Sequence, residues 1–193
     1  LLGPGRTPGY GVFRTVREVK PAHCGYYMQG SLHLHPYWEL HAAVHTDSFA
    51  ETAAHVRELL TDAVRRQLVS DVPIGTFLSG GLDSSLLSSL SSQVLRERGE
   101  TLHTFSVDYW DNDRYFRKSH FQPTSDPAYI RAMERYLGCQ HHWTVLDTPA
   151  LAEALYAAVD ARDLPGMVDV DSSLLLFCGE IRKEVTVALS GEC

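Results

Sequence analysis

The chain has 193 residues, 44% of them hydrophobic, and a net charge of −7. That length holds one good-sized domain and part of another, and the hydrophobic share is ordinary for a globular protein. The acidic balance argues against a general binder of nucleic acid or of anionic membranes. Cys24, Cys139, Cys178 and Cys193 lack metal-type spacing and read as the reduced thiols of a cytoplasmic protein. Nothing resembles a signal peptide, and no apolar run approaches the ~20 residues of a membrane span. The chain opens on Leu1 instead of Met and stops at Cys193 straight after a predicted strand, so a piece of a longer protein is expected.

Residues 1–40 are rich in Gly, Pro and β-formers. Residues 16–19 and 25–28 read as short strands between turns, and Cys24 as a small packed residue. Residues 37–47 read as a link. Ser48-x-x-Glu51 is a capping box in front of a helix. Phe49, Val56, Leu59, Leu60, Val64 and Leu68 recur on its apolar side, and Arg65 and Arg66 belong to a solvated face.

The next stretch organises the rest. Residues 74–78 predict a buried strand, and Leu86, Leu87, Leu90, Val94 and Leu95 predict a helix to about residue 97. Between them stands Ser79-Gly80-Gly81-Leu82-Asp83-Ser84-Ser85. Adjacent glycines allow a tight turn and close backbone approach to a ligand. A helix start offers free N–H groups and partial positive charge to phosphate. Ser79, Ser84 and Ser85 add hydroxyl donors. The Asp83 carboxylate would repel phosphate directly, which points to Mg²⁺ between the two. No Lys follows the glycines, so this is not the Walker-type loop. A Gly-rich turn with a solvated Asp is the plainer alternative; the full string behind an apolar strand favours phosphate.

Residues 102–107 predict the second strand, with Val107 at its ligand-binding end. Residues 109–125 lack periodicity and mix aromatics with charge, as expected of a lid or packing flap at the ligand end of a sheet. Asp126-Pro127 predicts a capped helix start and Gly138 its stop. Residues 140–146 predict the third strand. His141 and His142 would point to opposite faces of it, unable to chelate one metal together. Thr148-Pro149 starts another helix. Residues 162–173 read as a polar connection whose carboxylates could form a second Mg²⁺ or amino-acid site, with Asp171 as cap of the helix that follows the stronger reading. Residues 184–189 predict the fourth strand, which Ser190-Gly191-Glu192 leaves at its C-terminal end. The succession predicts an α/β fold, a parallel sheet with helices on both faces, whose ligand loops meet along one edge.

Ser-Gly-Gly-Leu-Asp-Ser-Ser at residues 79–85 resembles the pyrophosphate loop of the N-type ATP pyrophosphatases (PP-loop, adenine nucleotide alpha hydrolase-like). Pro73-Ile74-Gly75 before it, Tyr37-Trp38-Glu39-Leu40 upstream and Val187-Ala188-Leu189-Ser190-Gly191-Glu192 at the end resemble glutamine-hydrolysing asparagine synthetase. The resemblance implies that residues 1–40 are the β-rich tail of a glutaminase domain and that residues 41–193 begin the synthetase domain. It implies ATP contacts at Leu78, Ser79, Gly80, Gly81, Asp83, Ser84, Val107, Ser190 and Gly191, with the Val107 backbone at the adenine and Mg²⁺ on Asp83. Glu192 would help form the acyl-adenylate. It further implies amidation of aspartate through aspartyl-AMP, with glutamine or ammonia as nitrogen source. A homodimer fits this expectation, and nucleic acid and membrane are not expected partners. The family's glutaminase nucleophile, a Cys at the mature N-terminus, has no counterpart here. Other PP-loop adenylating ligases, such as a β-lactam synthetase, and a non-catalytic nucleotide-binding module share the central loop and stay open.

Overall fold

The computed structural model describes residues 7–118, 120, 124–164 and 166–191, and the chain divides into two compact units, Leu1–Ser48 and Phe49–Cys193.

In the first unit, β1 (His23–Met28) and β2 (Ser31–Pro36) form an antiparallel hairpin. Its two-residue turn is Gln29–Gly30, both at positive φ, the turn geometry whose twist suits paired strands. Residues 16–19 are not a strand. Val16 is used up in a local turn, its N–H donating to Phe13 O at 3.0 Å and its carbonyl accepting from Gly11 N–H at 3.2 Å. Cys24 is exposed instead of packed, because a two-stranded ladder covers neither of its own faces. Its Sγ lies 3.1 Å from Nε2 of His35, its partner across the ladder.

The second unit runs α1 (Phe49–Gln67), β3 (Ile74–Phe77), α2 (Leu82–Glu97), β4 (His103–Tyr109), α3 (Asn112–Tyr115), α4 (Pro127–Leu137), β5 (Gln140–Leu146), α5 (Thr148–Arg162), α6 (Val168–Ile181) and β6 (Val187–Leu189). Its strands form one parallel sheet in the order β5-β4-β3-β6. Side chains alternate across a strand, so each strand feeds two cores. Phe77, Phe105, Val107 and Ala188 pack against Phe177 and Ile181 of α6 and against Val185. Ile74 and Leu189 pack on the other face against Val64 of α1, Leu68 just after it, and Leu87, Leu90 and Val94 of α2. The α/β fold with helices on both faces is therefore as expected.

Two local expectations fail and one holds with an addition. The apolar stripe of α2 turns Leu87, Leu90, Val94 and Leu95 inward, with Leu86 42% exposed, and Ser84, Ser88, Ser91 and Ser92 share that inward face. Small hydroxyl side chains let the helix sit close to the sheet, where Ser88 Oγ pairs with Thr76 Oγ1 at 2.8 Å. Of the α1 stripe only Val64 is buried, joined by Leu68 just past the helix end, and Phe49 is 90% exposed. Asp171 does not cap α6. It lies inside the helix, its N–H bonded to Met167 O at 2.8 Å and its buried carboxylate paired with Arg162. Some helix ends also differ. Asp126 has helical dihedrals and makes no side-chain cap bond, while Asp147 caps α5 by accepting from Ala150 N–H at 2.8 Å. The fourth strand is shorter than expected, because the N–H groups of Glu184 and Val185 still donate to Ile181 O at 3.0 Å and extend the turn after α6.

His141 and His142 face opposite sides, as their spacing requires. His141 Nδ1 pairs with Thr104 Oγ1 at 2.7 Å on one face, and His142 stacks on Phe105 on the other. Burial pushes the His141 imidazole below its ordinary 6.5, with His142 acting the same way and Glu134 opposing. The unfolded chain thus takes up a proton below 6.5 before the folded chain does. The stability this gives is complete above 6.5 and is lost as the pH falls from there to the folded value. The thermal midpoint should drop between about pH 7 and about pH 5, and calorimetry should find a smaller drop in His141→Gln. An equal drop in both proteins would remove His141 from this account.

Candidate functional site

The chain leaves β3 for β4 and β5, then returns to place β6 on the other side of β3. The strand order therefore reverses between β3 and β6. Open α/β sheets bind ligands beyond the strand C-termini at such a point. There the residues following β3, the end of β4, the start of α4, the first turns of α6 and the exit of β6 enclose a cavity of about 450 Å³. That volume is in the range of small-molecule sites.

The loop after β3 is tied to itself through one hydroxyl. Ser84 Oγ accepts from Ser79 N–H at 3.1 Å, pairs with Ser79 Oγ at 2.9 Å and donates to Gly81 O at 3.2 Å. Leu78 anchors the start of the loop. Its N–H donates to Phe105 O at 2.8 Å and its carbonyl accepts from the Ser106 hydroxyl. Gly80 has φ +79°, the left-handed region, and a Cβ there would stand 3.0 Å from Tyr129 Cβ. Gly81 then leads into α2 in an extended conformation. No side chain caps this helix start, which leaves its first N–H groups to serve as anion donors beside the cavity.

The exit of β6 lies against the same turn. A Cβ on Gly191 would be 3.1 Å from Ser84 N and 3.1 Å from the Asp83 carbonyl carbon, so only glycine allows this approach without a shift. Of the residues expected at the site, Leu78, Ser79, Gly81 and Asp83 line the cavity, as do Ser84, Val107, Ser190 and Gly191. Gly80 does not; it supports the loop from behind, against Tyr129, Ile130 and Asp126. Glu192 lies outside the described residues.

The opposite wall comes from the helix expected after Asp171, through its hydroxyl and apolar residues and not through the carboxylates that stand out in the sequence. Phe177, Leu174 and Ser173 of α6 reach the cavity, and Tyr109 Oη meets Ser173 Oγ at 2.8 Å. The cavity therefore has an anion-binding corner at α2 and a wall of Phe77, Phe105, Phe177 and Ile130. This suits a ligand with a phosphate part and a flat apolar part. Asp83 stands exposed in the first turn of α2, free of the core, where a carboxylate beside an anion site can hold a divalent cation.

A family profile described as asparagine synthase matches residues 55–193. The chain belongs to the asparagine synthase family. Asparagine synthetase [glutamine-hydrolyzing] 3 of Bacillus subtilis (strain 168) is 50% identical over all 193 residues, which is 31% of that protein's length. The Zea mays asparagine synthetase [glutamine-hydrolyzing] is 35% identical over 72% of this chain and 23% of its own length. Amidase chry2 of Gibberella zeae is 30% identical over 69% of this chain and 21% of its own length. The chain thus spans about a third or less of the relatives it matches. Within this member of the asparagine synthase family, the loop geometry gives Ser84 a measurable weight. Ser84→Ala removes the acceptor for Ser79 N–H and the donor to Gly81 O, and should lower stability by about 1–3 kcal/mol in urea unfolding. A loss below about 0.5 kcal/mol would show that the loop does not depend on this hydroxyl.

Proposed function

We propose that this chain carries the nucleotide site of a glutamine-hydrolysing asparagine synthetase. In this reading the intact enzyme converts aspartate to asparagine with ATP and Mg²⁺ in the cytoplasm. Residues 1–40 belong to the tail of its glutaminase domain and residues 41–193 to its synthetase domain, with a homodimer as the expected assembly. The observation that carries the reading is the convergence of the Ser79–Ser84 loop, Val107 and Ser190–Gly191 on one cavity at the strand reversal. The family membership supports it.

The aspartate side-chain carboxylate attacks the α-phosphorus of ATP, the bond to the β-phosphate breaks, and pyrophosphate leaves. Ammonia then adds to the acyl carbon of aspartyl-AMP, AMP departs, and the added nitrogen loses a proton. The chain's share is chiefly positioning and charge stabilisation. The backbone N–H groups at the start of α2, with the Ser79 hydroxyl, hold the departing pyrophosphate, whose charge grows as the bond breaks. The Asp83 carboxylate holds Mg²⁺, which supplies charge neutralisation between carboxylate and phosphates. The backbone at Val107 holds the adenine, and the aromatic wall keeps water from the reacting phosphorus. Ser190 and Gly191 bring the exit of β6 onto the nucleotide, and Glu192 serves the acyl-transfer step.

In the intact enzyme, Asp83→Ala should cut aspartate-dependent pyrophosphate release by about 10²–10³-fold while glutamine hydrolysis persists. Glu192→Ala should act in the same direction. Unchanged turnover in both variants would refute the assignment. AMP formation across a panel of carboxylate substrates would replace aspartate by another acceptor if a different adenylating ligase were at hand. Tight ATP binding with no AMP formed would mark a non-catalytic nucleotide-binding module.

A further inference from the structure

The parallel sheet has a second polar cluster, at the end away from the cavity. His103 opens β4, His142 is the third residue of β5, and Glu184 lies in the turn between α6 and β6. In the β4–β5 register His142 is opposite Phe105, two residues along from His103 and on the same face. The two imidazoles stack at 5.2 Å with planes 12° apart, and Phe105 backs His142 at 4.8 Å. His103 Nδ1 and His142 Nε2 are 3.1 Å apart. A carboxylate oxygen of Glu184 completes a set of three donor atoms all within 4.8 Å of one another.

We propose that His103, His142 and Glu184 form a binding site for one divalent transition-metal ion of the zinc class. Two imidazole nitrogens on a tetrahedral ion, each at about 2.05 Å, stand about 3.3 Å apart. The observed 3.1 Å is close to that bite, and a turn of both rings, whose nitrogens now aim at each other, brings their lone pairs onto one ion. The ion displaces the one proton the two nitrogens share and sits off the line between them. The exposed Glu184 side chain need move inward by only roughly 1.5 Å to reach an ordinary coordination distance. Its backbone is fixed meanwhile by the Glu184 N–H bond to Ile181 O at 3.0 Å. Two nitrogens and one carboxylate leave a fourth position for water. The donor set suits zinc, cobalt or nickel; magnesium and calcium prefer all-oxygen sites. The site would clamp β4, β5 and the entry to β6 together, acting on stability and not on the chemistry at the far end of the strands. It does not depend on the function proposed above.

The test is Zn²⁺ binding by the full chain, by titration calorimetry, with Co²⁺ absorption as a report of coordination. One ion should bind, and the thermal midpoint should rise by roughly 5–10 °C at about a hundredfold excess over Kd. Glu184→Gln, on an exposed turn, should fold normally and weaken binding at least about tenfold. His103→Gln should abolish the shift, as should His142→Gln if that variant folds. The cobalt spectrum of the wild type should be absent from His103→Gln. Zn²⁺ affinity and thermal shift equal in wild type, Glu184→Gln and His103→Gln would overturn the site. So would binding that survives in His103→Gln and vanishes in Cys24→Ala, since that would move the ion to the Cys24–His35 pair of the hairpin.

Discussion

The constraint on which the rest depends is how closely α2 lies on the sheet. The helix brings Ser84, Ser88, Ser91 and Ser92 inward, and Ser88 pairs with Thr76 of the central strand β3. Small side chains reduce the distance, and the Ser88–Thr76 pair satisfies two of the hydroxyls that this distance traps, whereas Ser91 Oγ stays buried without a partner among the described residues. A leucine face would need more room and would lift the helix start off β3. The consequence lies at the N-terminus of α2. Its first turn is held directly beyond β3, close enough for Gly191 to meet the backbone of Asp83 and Ser84. Three loops from non-adjacent parts of the chain can share one cavity only because this turn does not stand away from the strands.

The two faces of the sheet solve the burial problem differently. On one face Phe105 and Phe77 meet Phe177 and Ile181, and aromatic bulk fills the layer. On the other, Ser88 pairs with Thr76 beside an aliphatic cluster, and α4 is anchored through polar groups: Arg96 Nη2 reaches Leu137 O at 3.0 Å, at the end of that helix. A cation at a helix C-terminus is favoured by the helix dipole. The helix that presents the anion-binding turn thus has its other end tied to α4. The aromatic face in turn gives the cavity its apolar wall, since the layer that forms this core continues to the ligand end of the strands. Packing and site are the same residues read at different heights along β3 and β4.

Much of this was legible in the chain. The period-2 strands and the Ser/Gly turn between β3 and α2 set the parallel sheet and the edge at which its loops meet. What escaped notice was decided by pairing between distant segments. The apolar spacing within residues 82–97 marks Leu87, Leu90 and Val94 but not the serines beside them, because nothing there says that Thr76 awaits on the facing strand. The helix α6 begins earlier than its pattern suggests, because Asp171, Ser172 and Ser173 are polar and resemble a cap and a lead-in. Yet all three are buried, Asp171 against Arg162 and Ser173 beside Tyr109. Polar residues near a ligand cavity are buried for reasons that a local hydrophobic pattern does not contain.

The histidines carry the same lesson to the other end of the sheet. Adjacent on one strand, His141 and His142 cannot act together, and the sequence says so by alternation alone. What it does not say is that the register of β4 on β5 puts Phe105 opposite His142, and therefore His103 beside it. A shift of one residue would turn His142 to the α4 face and break the pair. The register is fixed by the aromatic core, because Phe105 must meet Phe177. The packing that builds the cavity wall at one end of the strands therefore also sets the imidazole pair at the other.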